Sequence, residues 1–401
     1  MIADLHFRTL RARAVMAPMR RALATASGGF NRAPLVLLDL ETEEGITGIS
    51  YVFSPNPLAL KSLVALLDEM LTLIKGARIA PHALERHLQQ RFMLLSGTGI
   101  VTLAIAAIDM AAWDAFGKAM DLPLVRLWGG EAKPVPAYNS TGLGLMGAER
   151  TAAEAVELLE FGLTAIKLRL GYPTLEEDVA VTRAVRRAVG DTITVMADYN
   201  QCLDAPEAIR RGHALDGEGF YWIEEPVRAD DYAGAAAVAR ALKTSVQIGE
   251  NFWSTHDVQK ALAAGASDLI MPDASKIGGA TAWLRASAMA QAAGVPISSH
   301  LFPEVSAHLL AVSNTAHFLE YVDWANPVLQ EPLTIEGGRA VIPDRPGHGM
   351  AWDEVAEEVD VVITTNLFVM PGLVPASTSS FPACKDVDGR DKPGHDDVER
   401  L

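Results

Sequence analysis

Between positions 165 and 300 the chain repeats one pattern, in which a short apolar run ends at a polar residue and a longer stretch of helix-forming residues follows. Successive run ends are 23 to 31 residues apart, the length of one strand, one helix and two loops. The pattern predicts strands and helices that alternate and close into a parallel barrel, with polar residues at the carboxyl ends of the strands. These residues are Lys167, Asp198, Glu224, Glu250, Asp273 and His300, and a seventh run ends at Glu320.

The first 130 residues follow a different pattern. Two apolar runs, 35–40 and 45–51, flank a polar turn at 41–45 and predict a β-hairpin. Stretches with apolar residues at helical spacing predict helices at 59–74, 82–95 and 99–120. The segment 18–34 carries paired glycines and three arginines, and it is predicted to be a mobile loop that acts as a lid. An α+β domain is therefore expected to precede the barrel.

These patterns divide the chain into four parts. Residues 1–130 are predicted to form the α+β domain with its lid, and residues 131–326 the barrel. The stretch 327–370 is rich in proline and glycine and is predicted to return to the first domain. Residues 371–401 mix Pro, Ser, Thr and Asp with little periodicity, so a disordered tail is expected there.

Composition narrows the class of protein. With 34 basic and 50 acidic residues among 401, the formal charge of −16 disfavours nucleic acid and anionic membrane surfaces as partners. Cys202 and Cys384 are too few and too far apart to indicate a disulfide framework, so a cytoplasmic location is expected. The first ten residues lack the apolar core of a signal peptide, and no apolar run is expected to span a membrane, which takes about eighteen residues.

Three carboxylates at consecutive strand ends predict a metal site. A single acid at a strand end is usually a helix cap or a solvated side chain, but Asp198, Glu224 and Glu250 occupy equivalent places in three successive units. Oxygen ligands of this kind favour a hard divalent cation, with Mg²⁺ as the commonest choice. Glu225 is expected to point to the other side of its strand. Asn200 and Asn251 are candidates either to support the ligands or to contact a substrate.

The other strand ends predict groups that move protons. A lone histidine in an apolar strand is more often structural, but the preceding acid makes Asp273 and His300 a plausible dyad in which the carboxylate orients the imidazole as a base. Lys167 and Arg169 lie on one face of their strand and are expected to neutralise a substrate carboxylate, while Lys167 is also a candidate base. Glu320, if protonated, would donate a hydrogen bond to a developing enediolate oxygen.

The residues so placed resemble the mandelate racemase subgroup of the enolase superfamily. The likeness extends from about position 33 to 352, and its motifs are long and follow the family order. They are ADYNQ at 197–201, WIEEP at 222–226, MPDASKIGG at 271–279 and SSHLF at 298–302. The resemblance implies a (β/α)₇β barrel under an α+β cap, a His300–Asp273 base and Glu320 as the electrophilic acid. It also implies Mg²⁺ on the three carboxylates and a homo-oligomer, with an octamer as one form.

One departure from the family pattern bears on the reaction. The racemases have a second lysine base where this chain has Arg169, and arginine stays protonated under ordinary conditions. Dehydration needs a single base. The favoured activity is therefore removal of the proton α to the carboxylate of a 2-hydroxy acid, as a step in the dehydration of an acid sugar. The alternatives are racemisation or epimerisation of a 2-hydroxy acid by His300 with Lys167 or Arg169, and a metal-binding barrel without turnover.

The residues expected around the substrate also differ from those of mandelate racemase. Ser140 matches a serine that contacts the substrate carboxylate, and Asn200 and Lys276 are further expected contacts. Thr141 stands where the racemase has histidine, and the segment 53–57 lacks the family's loop tyrosine. The lid segment carries Arg20, Arg21, Asn31 and Arg32. A pocket more polar than that of mandelate racemase is therefore expected.

Overall fold

The computed structural model describes residues 4–95, 97–354 and 359–364. The N-terminal part begins with an antiparallel sheet of β1 (Phe7–Thr25), β2 (Gly28–Thr42) and β3 (Thr47–Phe53). Helices α1 (Leu60–Ile74), α2 (Pro81–Arg91), α3 (Ile100–Ala119) and α4 (Leu124–Leu127) follow. Short 3₁₀ turns occur at Pro57–Ala59, Met93–Leu95, Glu160–Gly162 and Asn326–Val328. The predicted hairpin and helices are present, and the long strand β1 is an addition to the prediction.

The segment predicted as a loop is a β-hairpin. β1 and β2 pair along almost their whole length, from Phe7 opposite Thr42 to Thr25 opposite Gly28, with irregularities between Phe7 and Thr9 and between Pro18 and Leu23. Gly28, with φ of 137°, follows the tight turn, and the Thr25 hydroxyl donates to its carbonyl at 2.9 Å. The expectation of a loop at 18–34 was wrong because glycines and arginines at a hairpin tip look like a loop in the sequence.

The barrel has the predicted alternation of strands and helices. Its named strands are β4 (Val135–Asn139), β5 (Ala165–Arg169), β6 (Thr194–Asp198), β7 (Phe220–Glu224), β8 (Ser245–Ile248), β9 (Leu269–Ile270) and β10 (Leu319–Tyr321). Its helices are α5 (Ala148–Glu157), α6 (Leu175–Val189), α7 (Ala205–Leu215), α8 (Tyr232–Ala241), α9 (Thr255–Ala264), α10 (Ala280–Ala293) and α11 (Pro303–Ala311). Neighbouring strands are parallel, and β10 pairs with β4 to complete the ring.

The seventh strand position is occupied by separate bridges. Ile297 bridges both Ile270 and Ala316 in parallel, and His300 bridges Asp273. These bridges join β9 to the β10 side of the barrel, so the architecture is the (β/α)₇β barrel with an N-terminal α+β cap. His300 therefore sits at the end of an extended segment rather than of a regular strand.

After the barrel the chain returns to both parts of the fold. β11 (Thr334–Glu336) and β12 (Arg339–Val341) form a hairpin whose second strand pairs antiparallel with β4. β13 (Asp360–Thr364) pairs antiparallel with β1. The predicted return to the first domain thus has a counterpart in β13, whereas β12 lies against the barrel. The predicted tail at 371–401 lies outside the described residues.

Helix α3 lies in the core and connects the cap to the barrel. By length and hydropathy it meets the criteria for a membrane span, but 89% of that window is buried inside the protein. The Asp109 carboxylate accepts hydrogen bonds from the backbone and hydroxyl of Thr281 in α10, at 2.9 and 2.6 Å. Trp113 donates its ring N–H to the same hydroxyl at 2.9 Å. These buried bonds fix α3 on the first turn of α10.

Candidate active site

Three carboxylates meet at the carboxyl ends of consecutive barrel strands. Asp198 is the last residue of β6, Glu224 the last of β7, and Glu250 follows β8 by two residues. One oxygen from each lies within 4.8 Å of the other two. Asn200 and Glu225, just after two of these acids, have φ of 45° and 37°, in the left-handed region that non-glycine residues seldom adopt. The strand ends are thus bent so that the acids converge.

This arrangement fits a divalent cation. Close carboxylates that are almost fully buried repel one another and are costly without positive charge. Burial raises the pKa of Asp198 and of Glu224 above ordinary values, although Lys167 opposes the change. The side-chain oxygen of Asn200, which is buried, has no hydrogen-bond partner among the described residues. An all-oxygen donor set of this kind is the set that Mg²⁺ prefers.

His300 and Asp273 form the expected pair. Nδ1 of His300 lies 2.7 Å from Oδ2 of Asp273, and the other oxygen of Asp273 accepts from Ser275 N, Ser275 Oγ and Lys276 N at 2.7 to 2.8 Å. The opposite ring nitrogen, Nε2, faces Glu250 at 3.3 Å. Burial lowers the pKa of His300, but Glu250, Glu320 and Asp273 outweigh it and raise the pKa above its ordinary value. Nε2 is therefore the nitrogen directed toward the carboxylates.

Lys167 and Arg169 have different surroundings. The Lys167 ammonium is buried between Glu224 at 2.6 Å and Glu320 at 2.9 Å. The Arg169 guanidinium donates to the carbonyl of Gly142 at 2.8 Å and to the hydroxyl of Ser140 at 2.9 Å. Its Nε is buried, lies 4.0 Å from Oδ2 of Asp198 and has no hydrogen-bond partner among the described residues. Arg169 is thus held as a hydrogen-bond donor, with one N–H left for a ligand.

Glu320, which was expected to donate a hydrogen bond if it is protonated, has both oxygens engaged as acceptors in this structure. Its two oxygens accept from Lys167 Nζ and from the backbone N–H of Leu301, both at 2.9 Å. Burial raises its pKa, but Lys167, His300 and Arg169 lower it more, so the pKa of Glu320 lies below its ordinary value. Among the groups that lower this pKa, Lys167 has the largest effect. The sequence could not show that Lys167 reaches it from the second barrel strand.

The remaining predicted residues are close to the carboxylates, except for Ser140. Asn200 donates its side-chain amide to Asp198 at 2.9 Å, and Lys276 donates to the side-chain oxygen of Asn251 at 2.9 Å. Asn251 in turn donates to Glu225 at 2.8 and 3.0 Å, so Glu225 supports Asn251. The last two pairs connect positions that are 25 and 26 residues apart in sequence. Ser140 is buried, and it does not belong to the set of residues that line the cavity described next.

A cavity of about 250 Å³ lies above these groups. Its barrel side is polar, and its other side is formed by residues from the β1–β2 hairpin, the end of β3 and the segment after β10. The residues of that second side include Leu23, Phe30, Phe53, Pro55 and Trp324. Ser27 at the hairpin tip donates to the carbonyl of Asn200 at 2.5 Å. The hairpin thus covers the site and is tied to the barrel.

The arginines on which the expectation of a more polar pocket was based do not face the cavity. Arg20 pairs with Glu160 at 2.8 and 3.0 Å, and Arg21 lies 3.3 Å from Glu157. Arg32 donates to the carbonyl of Met16 at 2.8 Å. These arginines and the exposed Asn31 do not line the cavity. Their partners belong to α5, the turn after it and β1, and these pairings could not be predicted from the sequence. Phe30, in the same hairpin, does line the cavity, although nothing in the sequence pattern predicted a role for it.

Two domain families and several characterised proteins are similar to this chain. Residues 8–129 match the mandelate racemase/muconate lactonizing enzyme N-terminal domain, and residues 150–356 match the enolase C-terminal domain-like family. L-talarate/galactarate dehydratase of Salmonella typhimurium is 36% identical over 65% of each chain, and 3,6-anhydro-alpha-L-galactonate cycloisomerase of Streptomyces coelicolor is 32% identical over 83% of this chain and 93% of that protein.

A solved structure of an enolase from Bradyrhizobium, complexed with magnesium and mandelic acid, is also similar. It is 42% identical, covers 89% of this chain and 98% of the other, and has a TM-score of 0.85. Magnesium is the cofactor of this superfamily, and the relatives are enzymes that act as dehydratases, cycloisomerases or racemases. From its two matched domains and its barrel, the chain belongs to the mandelate racemase subgroup of the enolase superfamily.

Proposed function

We propose that this protein dehydrates a 2,3-dihydroxy carboxylic acid, of the acid-sugar type, in a Mg²⁺-dependent reaction that uses one base. The observation that carries the proposal is the contrast between His300 and Arg169. His300 is held by Asp273 with Nε2 directed toward the carboxylates, whereas Arg169 donates to Gly142 and Ser140 and can accept no proton there. One base removes an α-proton but cannot return it to the opposite face.

The metal would be held by Asp198, Glu224 and Glu250. When bound, Mg²⁺ supplies Lewis-acid stabilisation of charge on the substrate carboxylate. The side chain of Arg169 has a free N–H, and with Lys276 it lines the cavity, so both are proposed to bind the substrate. Asn200 is proposed to orient Asp198 and, through its unpartnered oxygen, to contact the ligand. For Ser140 we propose a positioning role through Arg169.

In the proton-transfer step, neutral His300 takes the α-proton on Nε2 while Asp273 accepts the N–H on the other side of the ring. The electron pair of the C–H bond moves into the carboxylate and gives an enediolate. Its collapse breaks the bond to the 3-hydroxyl, which leaves as water after it takes the proton back from His300. The resulting enol becomes a 2-keto acid. Lys167 is proposed to stabilise the enediolate from the other side of the site, and Glu320 to hold the Lys167 ammonium in place.

Racemisation or epimerisation of a 2-hydroxy acid is the second candidate. The observation in its favour is that Lys167 and His300 both line the cavity, so two groups able to exchange protons face the same ligand space. The similar Bradyrhizobium enolase was solved with mandelic acid, which agrees with a 2-hydroxy acid ligand in such a site. Against this candidate stands the short contact of Lys167 with Glu224 and Glu320.

His300→Asn tests the base directly. Asparagine keeps a polar side chain but removes the basic nitrogen, so α-proton exchange and turnover should fall by at least about 10³-fold, within the usual range of an acid–base contribution. Mg²⁺ affinity, measured by calorimetry, should change little because His300 is not a proposed ligand. Full activity in the variant would contradict the role of His300. Absence of any turnover in the parent protein, with Mg²⁺ bound, would favour a metal-binding barrel without turnover.

We further propose a cytoplasmic homo-oligomer, up to an octamer, and domain divisions near residues 130 and 326. Support for association comes from Met93, Leu94 and Leu95, whose exposures of 69, 96 and 63% leave three adjacent apolar side chains in water. Support for the compartment comes from Cys202, which is a free thiol. Light scattering of the purified protein would measure the assembly, and a monomer at micromolar concentration would contradict it.

A further inference from the structure

We propose that the end of the substrate remote from the metal is uncharged and apolar, so that this enzyme takes monocarboxylic acids with a methyl, alkyl or aryl end and excludes dicarboxylic sugar acids. The inference rests on the proposed function, because it assumes that one carboxylate binds at the metal. It separates this chain from relatives named for galactarate, an acid with a carboxylate at each end.

The first support is a cluster of aromatic rings opposite the metal site. Phe30 and Phe53 each have ring centroids 5.2 Å from that of Trp324, and 5.6 Å from each other. Phe53 and Trp324 are more than 90% buried, whereas Phe30 is partly exposed. All three line the cavity, together with Leu23 and Pro55. This side also carries the neutral hydroxyl residues Thr25 and Ser27 and the ring N–H of Trp324, but most of its lining is hydrocarbon. It therefore favours an apolar group and penalises a charged one.

The second support is the distribution of positive charge. Among the described residues that line the cavity, the cationic groups are Lys167, Arg169 and Lys276, with His300 when protonated. All four stand on the barrel side and contact acids or polar groups there. None of the residues on the aromatic side is charged. A second carboxylate placed against that wall would therefore lose its hydration and gain no cation.

The third support is that the charged residues of the hairpin are engaged elsewhere. Arg20 forms two hydrogen bonds to Glu160, and Arg21 lies near Glu157 and Glu160. The hairpin residue that hydrogen-bonds to Asn200 is Ser27, and its hydroxyl is neutral. To serve a remote carboxylate, an arginine would have to leave its acid and displace aromatic side chains from the wall. The resting geometry thus favours an apolar occupant.

Two hydroxamates without stereocentres test this inference. Butanohydroxamate and the monohydroxamate of succinic acid have the same four-carbon length and the same chelating head, but they end in a methyl and a carboxylate. With saturating Mg²⁺, calorimetry should give at least tenfold tighter binding for butanohydroxamate. Phe30→Ala should reduce that preference at least threefold, whereas the matched Arg20→Gln variant, which alters an outward pair, should keep it. The comparison of the two hydroxamates on the parent protein tests the inference even if a variant folds poorly.

The outcomes separate the two proposals. Equal affinities, or tighter binding of the succinic derivative, would overturn the apolar-end inference and leave the metal-dependent reaction intact. If neither hydroxamate binds while Mg²⁺ does, the cavity is not a site for carboxylates beside the metal, and both proposals fail. If Arg20→Gln changes the preference as much as Phe30→Ala does, the hairpin arginines take part in recognition, and the inference is also overturned.

Discussion

Replacing Asp273 by asparagine should lock His300 in the wrong tautomer. In the parent protein, Oδ1 of Asp273 accepts three hydrogen bonds, from Ser275 N, Ser275 Oγ and Lys276 N, while Oδ2 faces Nδ1 of His300. An asparagine will keep its oxygen toward the backbone donors, so its NH₂ will face the imidazole. Nδ1 must then accept, and the proton must sit on Nε2, the nitrogen proposed to act as the base.

The size of the effect follows from the cost of turning the amide around. With the NH₂ toward residues 275 and 276, two buried backbone N–H groups lose their acceptor, at about 1–3 kcal/mol each. The useful tautomer is therefore disfavoured by roughly 2–6 kcal/mol, which corresponds to a loss of about 30-fold to 2 × 10⁴-fold at 1.36 kcal/mol per decade. The fold, the metal ligands and the charge of His300's other neighbours are unchanged.

The assay is α-proton exchange in D₂O, measured as kcat/KM for the parent protein and Asp273→Asn under saturating Mg²⁺. Nitrogen NMR of the imidazole would report the tautomer separately, and calorimetry would confirm that Mg²⁺ affinity is kept. A variant within threefold of the parent in exchange rate, with its proton shown to lie on Nε2, would refute the reasoning, because the base would then work without a free nitrogen.

Two further predictions concern the cap and the metal. Burial raises the pKa of Asp109 to about 7, so the contribution of this side chain to stability is complete below the ordinary value of 3.8 and is lost as the pH rises toward 7. The melting temperature of Asp109→Asn should therefore rise relative to that of the parent protein between pH 4 and pH 8. A difference that does not change with pH would contradict this. Glu250→Gln removes one of the three proposed carboxylate ligands and should weaken Mg²⁺ binding at least about tenfold by calorimetry. Glu225→Gln is the control: Glu225 is not one of the three clustered acids, so this variant should bind Mg²⁺ nearly as the parent protein does.

The barrel could be predicted because its repeat of strand and helix is visible in the pattern of apolar and polar residues. Each apolar run is buried in the ring, and its period of two fixes which side of the strand the last residue occupies. The ends of β5, β6 and β7 therefore fell on Lys167 to Arg169, Asp198 and Glu224 as expected. The seventh position was harder, because Ile297 makes only isolated bridges and its apolar run looks like that of a regular strand.

The lid and the hydrogen-bond partners of Glu320 could not be predicted, since both depend on residues distant in sequence. Arg20 turns outward because Glu160, 140 residues later, offers it two oxygens. Phe30 turns inward because Phe53 and Trp324, from two other segments, provide a wall for it. Glu320 accepts a hydrogen bond from Lys167, which reaches it across the barrel. Local periodicity contains no information on such contacts, whereas the strand-end positions of the site need only the repeat.

The central claim, proton abstraction by one base followed by dehydration, is tested most directly by proton NMR in D₂O with Mg²⁺. The panel should contain aldonic acids, 6-deoxyaldonic acids, aldaric acids and both enantiomers of mandelate, with the α-proton and product signals followed together. The account predicts loss of the α-proton of a monocarboxylic sugar acid and appearance of a 3-deoxy-2-keto acid. Deuterium entering both mandelate enantiomers with inversion, and no dehydration of any acid, would contradict it.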